Sequence, residues 1–369
     1  MYIYEKKDWP DFHWDENEIN SLLISVRHHQ GRFLGKMENL GFTIRKEAIL
    51  ESVAAELINT NAIEDEKLDA DQVRSSLARQ LGLDKAGLVP SSRNVDALVE
   101  VMIDAAHNCM EKLTEDRLFK WHKLLFLPKG KKFLRIKPGA WRTKINQPMQ
   151  VISGSIGKEK IHFVAPGSAK VPKEMKAFLN WFNSNADLDP LLKASIAHLW
   201  FVTIHPFEDG NGRIARAIAD LQLARADGIT QRFYSMSAQI MITRKSYYDI
   251  LEQTQKGSLD ITNWIRWFLN CFDESLLLSD RILAKVIAKS DYWQMLNDTA
   301  INQRQKLMIN KLLDGFVGKL SSSKWASICK CSQDTALRDI QGLLDIGVLE
   351  KEPGGGRSTS YYLKDLAKA

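Results

Sequence analysis

The chain is poor in cysteine, has no long apolar run and carries no strong excess of one charge. Four cysteines occur in 369 residues, at Cys109, Cys271, Cys329 and Cys331, scattered through apolar or helical stretches. That scarcity argues against a disulfide scaffold and for a reducing compartment, so a cytoplasmic location is expected. Cys329-Lys-Cys331 is a CxC pair without a matching His or Cys cluster, which makes a zinc site a poor reading. No stretch reaches the ~18 consecutive apolar residues of a membrane-spanning helix. The opening MYIYEKKDWPDF lacks the apolar core of a secretory signal. The net charge of +6 is mild; it suits nucleotide or nucleic-acid binding and proves neither. With 44% apolar residues the chain can build real cores, and its length suggests two or three domains.

One polar stretch stands out, His205-Pro-Phe-Glu-Asp-Gly-Asn-Gly-Arg-Ile-Ala-Arg216. It holds an imidazole, two carboxylates, an amide, two glycines and two guanidinium groups. Upstream, 190–204 (PLLKASIAHLWFVTI) has apolar residues at helical spacing, so a buried helix runs into it. Pro206 disfavours α geometry at His205 and should end that helix there. Downstream, 213–225 reads as a helix whose first turn follows Gly210-Asn211-Gly212. Helix, glycine loop and helix N-terminus make an anion cradle, because unpaired N–H groups and the positive dipole end face the loop. For a nucleotide phosphate, Gly210 and Gly212 allow close backbone approach. Asp209 can hold Mg²⁺, a hard cation. Arg213 and Arg216 lie three apart on one helical face and reach the same polyphosphate. His205 titrates near neutrality and can take a proton from a hydroxyl. Phe207 is expected in the core and Glu208 in solvent. A bland helix-helix turn with solvated charges would explain a lone GxG, but not twelve consecutive compatible positions.

The stretch fits HxFx(D/E)GNGRxxR at every fixed position, and on it the chain resembles the Fic family. The resemblance implies a mainly α fold and a core that transfers AMP from ATP to a hydroxyl of a protein. It gives His205 the role of general base and Asp209 that of Mg²⁺ ligand. Gly210, Asn211 and Gly212 become the anion-hole segment, and Arg213 and Arg216 the phosphate-binding arginines. Many Fic proteins carry an inhibitory helix with the pattern (S/T)xxxE(G/N). Thr60 and Glu64 match it, after a helix from about Lys46 to Thr60, while Asp65 departs from the expected Gly or Asn. Glu64 is thus implied to pair with Arg216 and block the ATP γ-phosphate, against the plainer reading of an exposed helical glutamate.

The N-terminal region, 1–94, reads as a helical domain of the kind found on some bacterial Fic proteins, with WPDFHWD and EKLDADQVRSSLARQLG its nearest parts. Trp9 to Trp14 should lie extended against another part of the protein. Helices are expected over 19–37 and 68–82, the latter capped by Asp69 and ended by Gly82. A core of 95–285 follows, with helices over 95–112 and 114–125. His107 and His122 are expected to be packed core histidines. Two short strands around Ser153-Gly-Ser-Ile-Gly157 suggest a β-hairpin. Fic cores carry such a flap, which holds a target peptide by strand addition. Ile161, His162 and Phe163 are its candidates for contacting nucleotide or peptide, and Tyr248 resembles the tyrosine bordering adenine.

Residues 292–369 read as three helices and a two-stranded wing, resembling a winged helix-turn-helix. From Ile301 onward, 11 Lys and Arg stand against 7 Asp and Glu. That unit suits DNA, with Arg338 or Arg357 on phosphates, as well as protein docking. The resulting expectation is a Mg²⁺-dependent protein adenylyltransferase using ATP, acting on a Tyr, Ser or Thr hydroxyl and inhibited by Glu64. Self-modification and a homodimer are further expected partnerships, and no membrane is. Removal of AMP from a modified protein, or DNA binding regulated by an ATP-sensing core, are the alternatives.

Overall fold

In the computed structural model, most helices start where the sequence supplies a side-chain cap. The structure describes all residues except 84–86, 128–135, 144–147, 155–157, 186, 230, 298, 354–358 and 365–369. The chain divides into two units, Met1–Leu81 with Pro90–Ile282, and Gly82–Val89 with Leu283–Ala369.

The first unit opens with α1 (Glu16–Glu38), α2 (Phe42–Ile63), α3 (Ala70–Gln80), α4 (Arg93–His107) and α5 (Glu115–Leu125). Asp15, Asp69, Ser92 and Thr114 each accept a backbone N–H of the first turn that follows, satisfying donors that a helix start leaves free. A two-stranded antiparallel hairpin comes next, β1 (Gln150–Ser153) with β2 (Lys160–Val164), irregular between Val151 and Ile152. Then follow α6 (Val171–Phe182), α7 (Pro190–Ile204), α8 (Asn211–Asp227), α9 (Met236–Ile242), α10 (Arg244–Gln255) and the start of α11 (Thr262–Met295), whose residues from Leu283 onward belong to the second unit.

The core is organised on α7, in which every residue from Leu191 to Ile204 is buried. A helix apolar all round has nowhere to go but the interior. It packs along α8, whose Ile214, Ile218, Leu221 and Leu223 are also buried. The aromatic N-terminal segment lies against this core as expected. Trp9 and Phe12 meet Trp200 of α7 edge to face, and His13 bridges Asp260. Two expectations need correction. His107 is exposed on the last turn of α4 instead of packed. The helix over 95–112 stops at His107, where Asn108 caps it by donating to Asp104.

The second unit contains α12 (Gln303–Leu313), α13 (Ser322–Cys329), α14 (Gln333–Asp345) and a hairpin of β3 (Leu349–Lys351) and β4 (Tyr361–Leu363). Leu320 bridges Tyr361 as a further antiparallel contact. Trp325, Met308, Ile309, Ile340, Leu343 and Val348 close a separate apolar core. Arg357 falls among the undescribed residues.

Candidate active site

His205 ends α7 in the left-handed conformation, φ 53° and ψ 57°. The proline that follows closes the α region to it, and histidine is among the few side chains that tolerate the left-handed one. Its Nδ1 lies 3.2 Å from Val202 O. A carbonyl only accepts, so Nδ1 carries the proton and Nε2 is left as a free base. Burial pushes this imidazole down to about 4, so the neutral form prevails at physiological pH. Arg142 fixes the turn from behind: its Nε donates to His205 O at 2.7 Å, its Nη2 to Pro166 O, and its backbone N–H to Pro206 O at 2.9 Å.

The loop after His205 is closed internally. Asn211 accepts from Phe207 N and donates to Phe207 O, both at 2.9 Å. Its amide is therefore spent on the loop, and only its backbone faces an anion. Phe207 is fully buried, as expected, stacked on His122 at 4.1 Å with an interplanar angle of 8°. Glu208 accepts from Lys137 N at 3.2 Å, so it is engaged and not simply solvated. Gly210 has φ 77° and lies so close to Phe126 that a Cβ would come within 2.8 Å of its ring. It offers no side-chain cap to α8, leaving the N–H groups of Asn211, Gly212 and Arg213 at an open helix N-terminus.

His122 was legible only as a core histidine, and its role is more specific. Gly139 N donates to His122 Nδ1 at 2.8 Å, and His122 Nε2 lies 3.1 Å from Asp209 O. A backbone N–H can only donate, so Nδ1 is the bare nitrogen and Nε2–H donates to the Asp209 carbonyl. A second proton would leave the Gly139 N–H facing another donor. Burial pushes this imidazole down as well, to about 4. His122 thus ties α5 and the Gly139 turn to the residue expected to hold Mg²⁺.

Arg213 and Arg216 project from the first turns of α8 and are nearly inaccessible. Arg216 donates through Nε to Thr60 Oγ1 at 2.7 Å, and through Nη2 to Thr60 O at 2.9 Å and Glu64 Oε1 at 2.8 Å. Arg213 Nη1 donates to Glu66 Oε2 at 2.9 Å and lies 3.4 Å from Asn61 Oδ1. Among the described residues, Arg216 Nη1 and Arg213 Nε are buried without a partner. Buried donors are nearly always satisfied, so two guanidinium N–H groups left open beside a helix N-terminus suit an anion. Gly212 leaves room for the glutamate: a Cβ there would sit 2.3 Å from Glu64 Oε1.

Glu64 is the C-cap of α2, and the end of this helix explains the unusual residue beside it. Asp65 N donates to Ala62 O and Glu66 N to Asn61 O, both at 3.0 Å, with Asp65 at φ 59°. This is a Schellman ending, whose left-handed position takes glycine or asparagine most readily. Aspartate occupies it here with its carboxylate forked by Arg244 at 2.9 and 2.8 Å. Three consecutive acids therefore meet three arginines.

Asp209 is exposed, with Oδ1 accepting from Gly210 N at 2.6 Å. Among the described residues no group of three His, Cys, Asp or Glu side chains could hold a metal ion. One carboxylate completed by nucleotide phosphates is, however, how Mg²⁺ is commonly bound, so Asp209 fits the ion.

The other candidates divide. Tyr248 reaches the site, its hydroxyl donating to Ile63 O at 3.3 Å. Ile161 is exposed on the hairpin. Phe163 instead points inward against Tyr2 and Tyr4, so its side chain cannot contact a nucleotide or peptide. His162 is bound to Ser153 and Glu252.

Residues 112–223 match the family model described as Fic/DOC, and residues 2–83 one described as a domain of unknown function, DUF4172. Over 115 residues, 31% of this chain, it is 33% identical to "Protein adenylyltransferase Fic" of Drosophila virilis. Over 117 residues it is 34% identical to the protein of that name from Nematostella vectensis. The chain covers only 22% and 25% of those relatives' own length. A Fic family protein from Desulfovibrio desulfuricans G20 superposes with a TM-score of 0.51 at 19% identity, over 93% of this chain and 96% of that one. A Fic-domain signalling protein from Bacteroides thetaiotaomicron gives 0.51 at 22% identity, over 71% and 95%. At such identities these two speak for the fold alone.

Proposed function

The chain belongs to the Fic family through residues 112–223, and from that premise we propose that it is a protein adenylyltransferase held off by its own helix α2. One observation carries the reading: two buried arginines with unpartnered N–H groups flank an open helix N-terminus, beside a neutral histidine whose Nε2 is free. The Arg213 and Arg216 forks bind polyphosphate, and the N–H groups of Gly212 and its neighbours take up charge at the α-phosphate. His205 Nε2 accepts the proton of a Tyr, Ser or Thr hydroxyl as that oxygen attacks the α-phosphorus, and pyrophosphate leaves. Asp209 would hold Mg²⁺, which supplies charge neutralisation on the phosphates. The second unit, in this reading, is a winged helix that recruits a partner, DNA or protein.

Inhibition follows from the Glu64–Arg216 pair. The carboxylate occupies the space and the guanidinium that a γ-phosphate needs, so ATP meets both a used donor and a like charge. Glu64→Gly should raise AMP transfer well above wild type with α-labelled ATP and Mg²⁺, and adding Arg216→Ala should cancel the gain. Glycine at this helix end costs only about 1 kcal/mol. No acceleration at any ATP concentration would make α2 a purely structural helix.

A further inference from the structure

Arg142 is a buried cation held by neutral groups. Only 5% of it is exposed. Its Nε donates to His205 O at 2.7 Å, and its Nη2 to Pro166 O and, at 3.4 Å, to Ile204 O. These side-chain partners are all carbonyl oxygens, joined by no carboxylate among the described residues. Burial lowers the guanidinium's proton affinity, yet an arginine stays charged in a protein. The carbonyls of Ile204 and His205 close α7, where a helix leaves its last acceptors without a partner of its own. A cation suits that negative dipole end. A neutral amide would satisfy the same carbonyls, so capping alone does not call for a guanidinium.

Two further features give the guanidinium work that an amide could not do. The first is its reach. One planar fork joins the end of α7 to Pro166, just beyond β2, while the backbone N–H of Arg142 holds Pro206 O at 2.9 Å. His205 thus sits between anchors on both of its peptide groups. A left-handed residue other than glycine persists only where its surroundings hold it, and here that backbone directs the imidazole. The second is its charge. Burial is the main reason that the His205 imidazole is neutral. The bond to Val202 O, Glu64 of α2 and Asp209 of the loop all favour its proton, and Arg142 opposes it.

We propose that Arg142 is a positioning residue for AMP transfer: its guanidinium holds the His205 backbone in the conformation that leaves Nε2 free, and places a positive charge behind the imidazole. The inference rests on the adenylyltransferase reading with His205 as its base. A base must be unprotonated when the hydroxyl arrives and must release the proton afterwards. A cation behind the ring favours both. Lysine at this position keeps the charge without the planar fork, and glutamine keeps one donor group without the charge. The two substitutions therefore separate reach from charge.

The test compares full-length Arg142→Gln and Arg142→Lys proteins in two measurements. In a Glu64→Gly background, Arg142→Gln should lower kcat for AMP transfer by about 100-fold, with the KM for ATP changed by no more than about threefold. Arg142→Lys should lose only about tenfold. In protein with Glu64 intact, the His205 ring is followed by NMR titration and identified by its loss in His205→Ala. It should titrate about one unit higher in Arg142→Gln than in wild type, and at the wild-type value in Arg142→Lys. Should Arg142→Gln fail to fold by circular dichroism, Arg142→Lys decides through its kcat loss at constant KM. A kcat within about twofold of the parent in either folded variant overturns the proposal. So does a loss carried by the KM for ATP, or a ring titration that Arg142→Gln leaves unmoved. The adenylyltransferase reading survives all three. Glu64→Gly protein that labels no protein at all overturns that reading and the role of Arg142 with it, whatever the ring titration shows.

Discussion

His122 is buried and His205 half-buried, and both are neutral and oriented by a backbone group, yet they face the site differently. His205 keeps Nε2 free, whereas His122 has neither nitrogen to spare. Removing the first should therefore cost chemistry. His205→Ala is expected to lower AMP transfer by at least about 10²-fold while ATP still binds by calorimetry. Removing the second should cost position. His122→Phe keeps a ring on Phe207 but frees the Asp209 carbonyl and the Gly139 N–H, so the carboxylate of Asp209 is no longer held at one place. The expected outcome is a several-fold rise in the Mg²⁺ concentration needed for half-maximal labelling, partly restored by His122→Gln, with saturating ATP affinity nearly unchanged. An equal loss in kcat with no shift in Mg²⁺ dependence would mean the ring only fills space. The motif histidine was legible because its neighbours in sequence are its neighbours in the site. His122 sits 87 positions from its Asp209 partner, and no local pattern distinguishes it from a packed histidine.

At the scale of elements, α2 does more than carry one glutamate. Its C-terminal turn places Glu64 on Arg216, Asp65 on Arg244 and Glu66 on Arg213. The sequence pattern pointed to Glu64 alone, and it treated Asp65 as a departure. The backbone explains both the pattern and the departure: the position is left-handed, and a short polar side chain tolerates that at a cost of about 1 kcal/mol where glycine pays nothing. Asp65→Gly is therefore expected to leave the proposed inhibition intact, and Asp65→Val to loosen it, read as labelling rates with wild type as reference. Glu66→Ala should free Arg213 without touching the Glu64 pair. Because Glu66 is the more exposed partner, 46% against 32% for Glu64, its removal should raise labelling less than Glu64→Gly does. A larger gain from Glu66→Ala would move the lock from Arg216 to Arg213. The hairpin tells the same story about legibility. Alternation and glycines gave its existence, but which of Ile161, His162 and Phe163 faces outward depends on Tyr2 and Tyr4 covering one side.

For the whole molecule, acid sensitivity and modularity both follow from where the buried groups sit. His122, His198 and His205 are held at about 4, 3 and 4 by burial, against about 6.5 in an unfolded chain. Below 6.5 the unfolded chain takes up protons that the folded one refuses, so stability present above that pH is lost as it falls toward 4. The melting temperature should drop across that window, and less steeply in a His198→Asn variant. Modularity rests on the second core, in which Trp325, Met308, Ile340 and Leu343 are buried together. Every residue proposed for catalysis or inhibition lies in the first unit. Sequence reading ended the core at 285 and began the C-terminal unit at 292, whereas the contacts divide the chain after Ile282 and assign 82–89 to the second unit as well. That short segment was invisible to patterning because its place depends on partners such as Leu307, far along the chain, which lies against Gly87. A chain ending at residue 291 should thus lose the second core entirely and leave 82–89 without its contacts. It is expected to melt lower than the full protein but to label itself within a few-fold of the full-length rate. Loss of all labelling in a truncated protein that remains folded by circular dichroism would make the second unit part of the catalytic body.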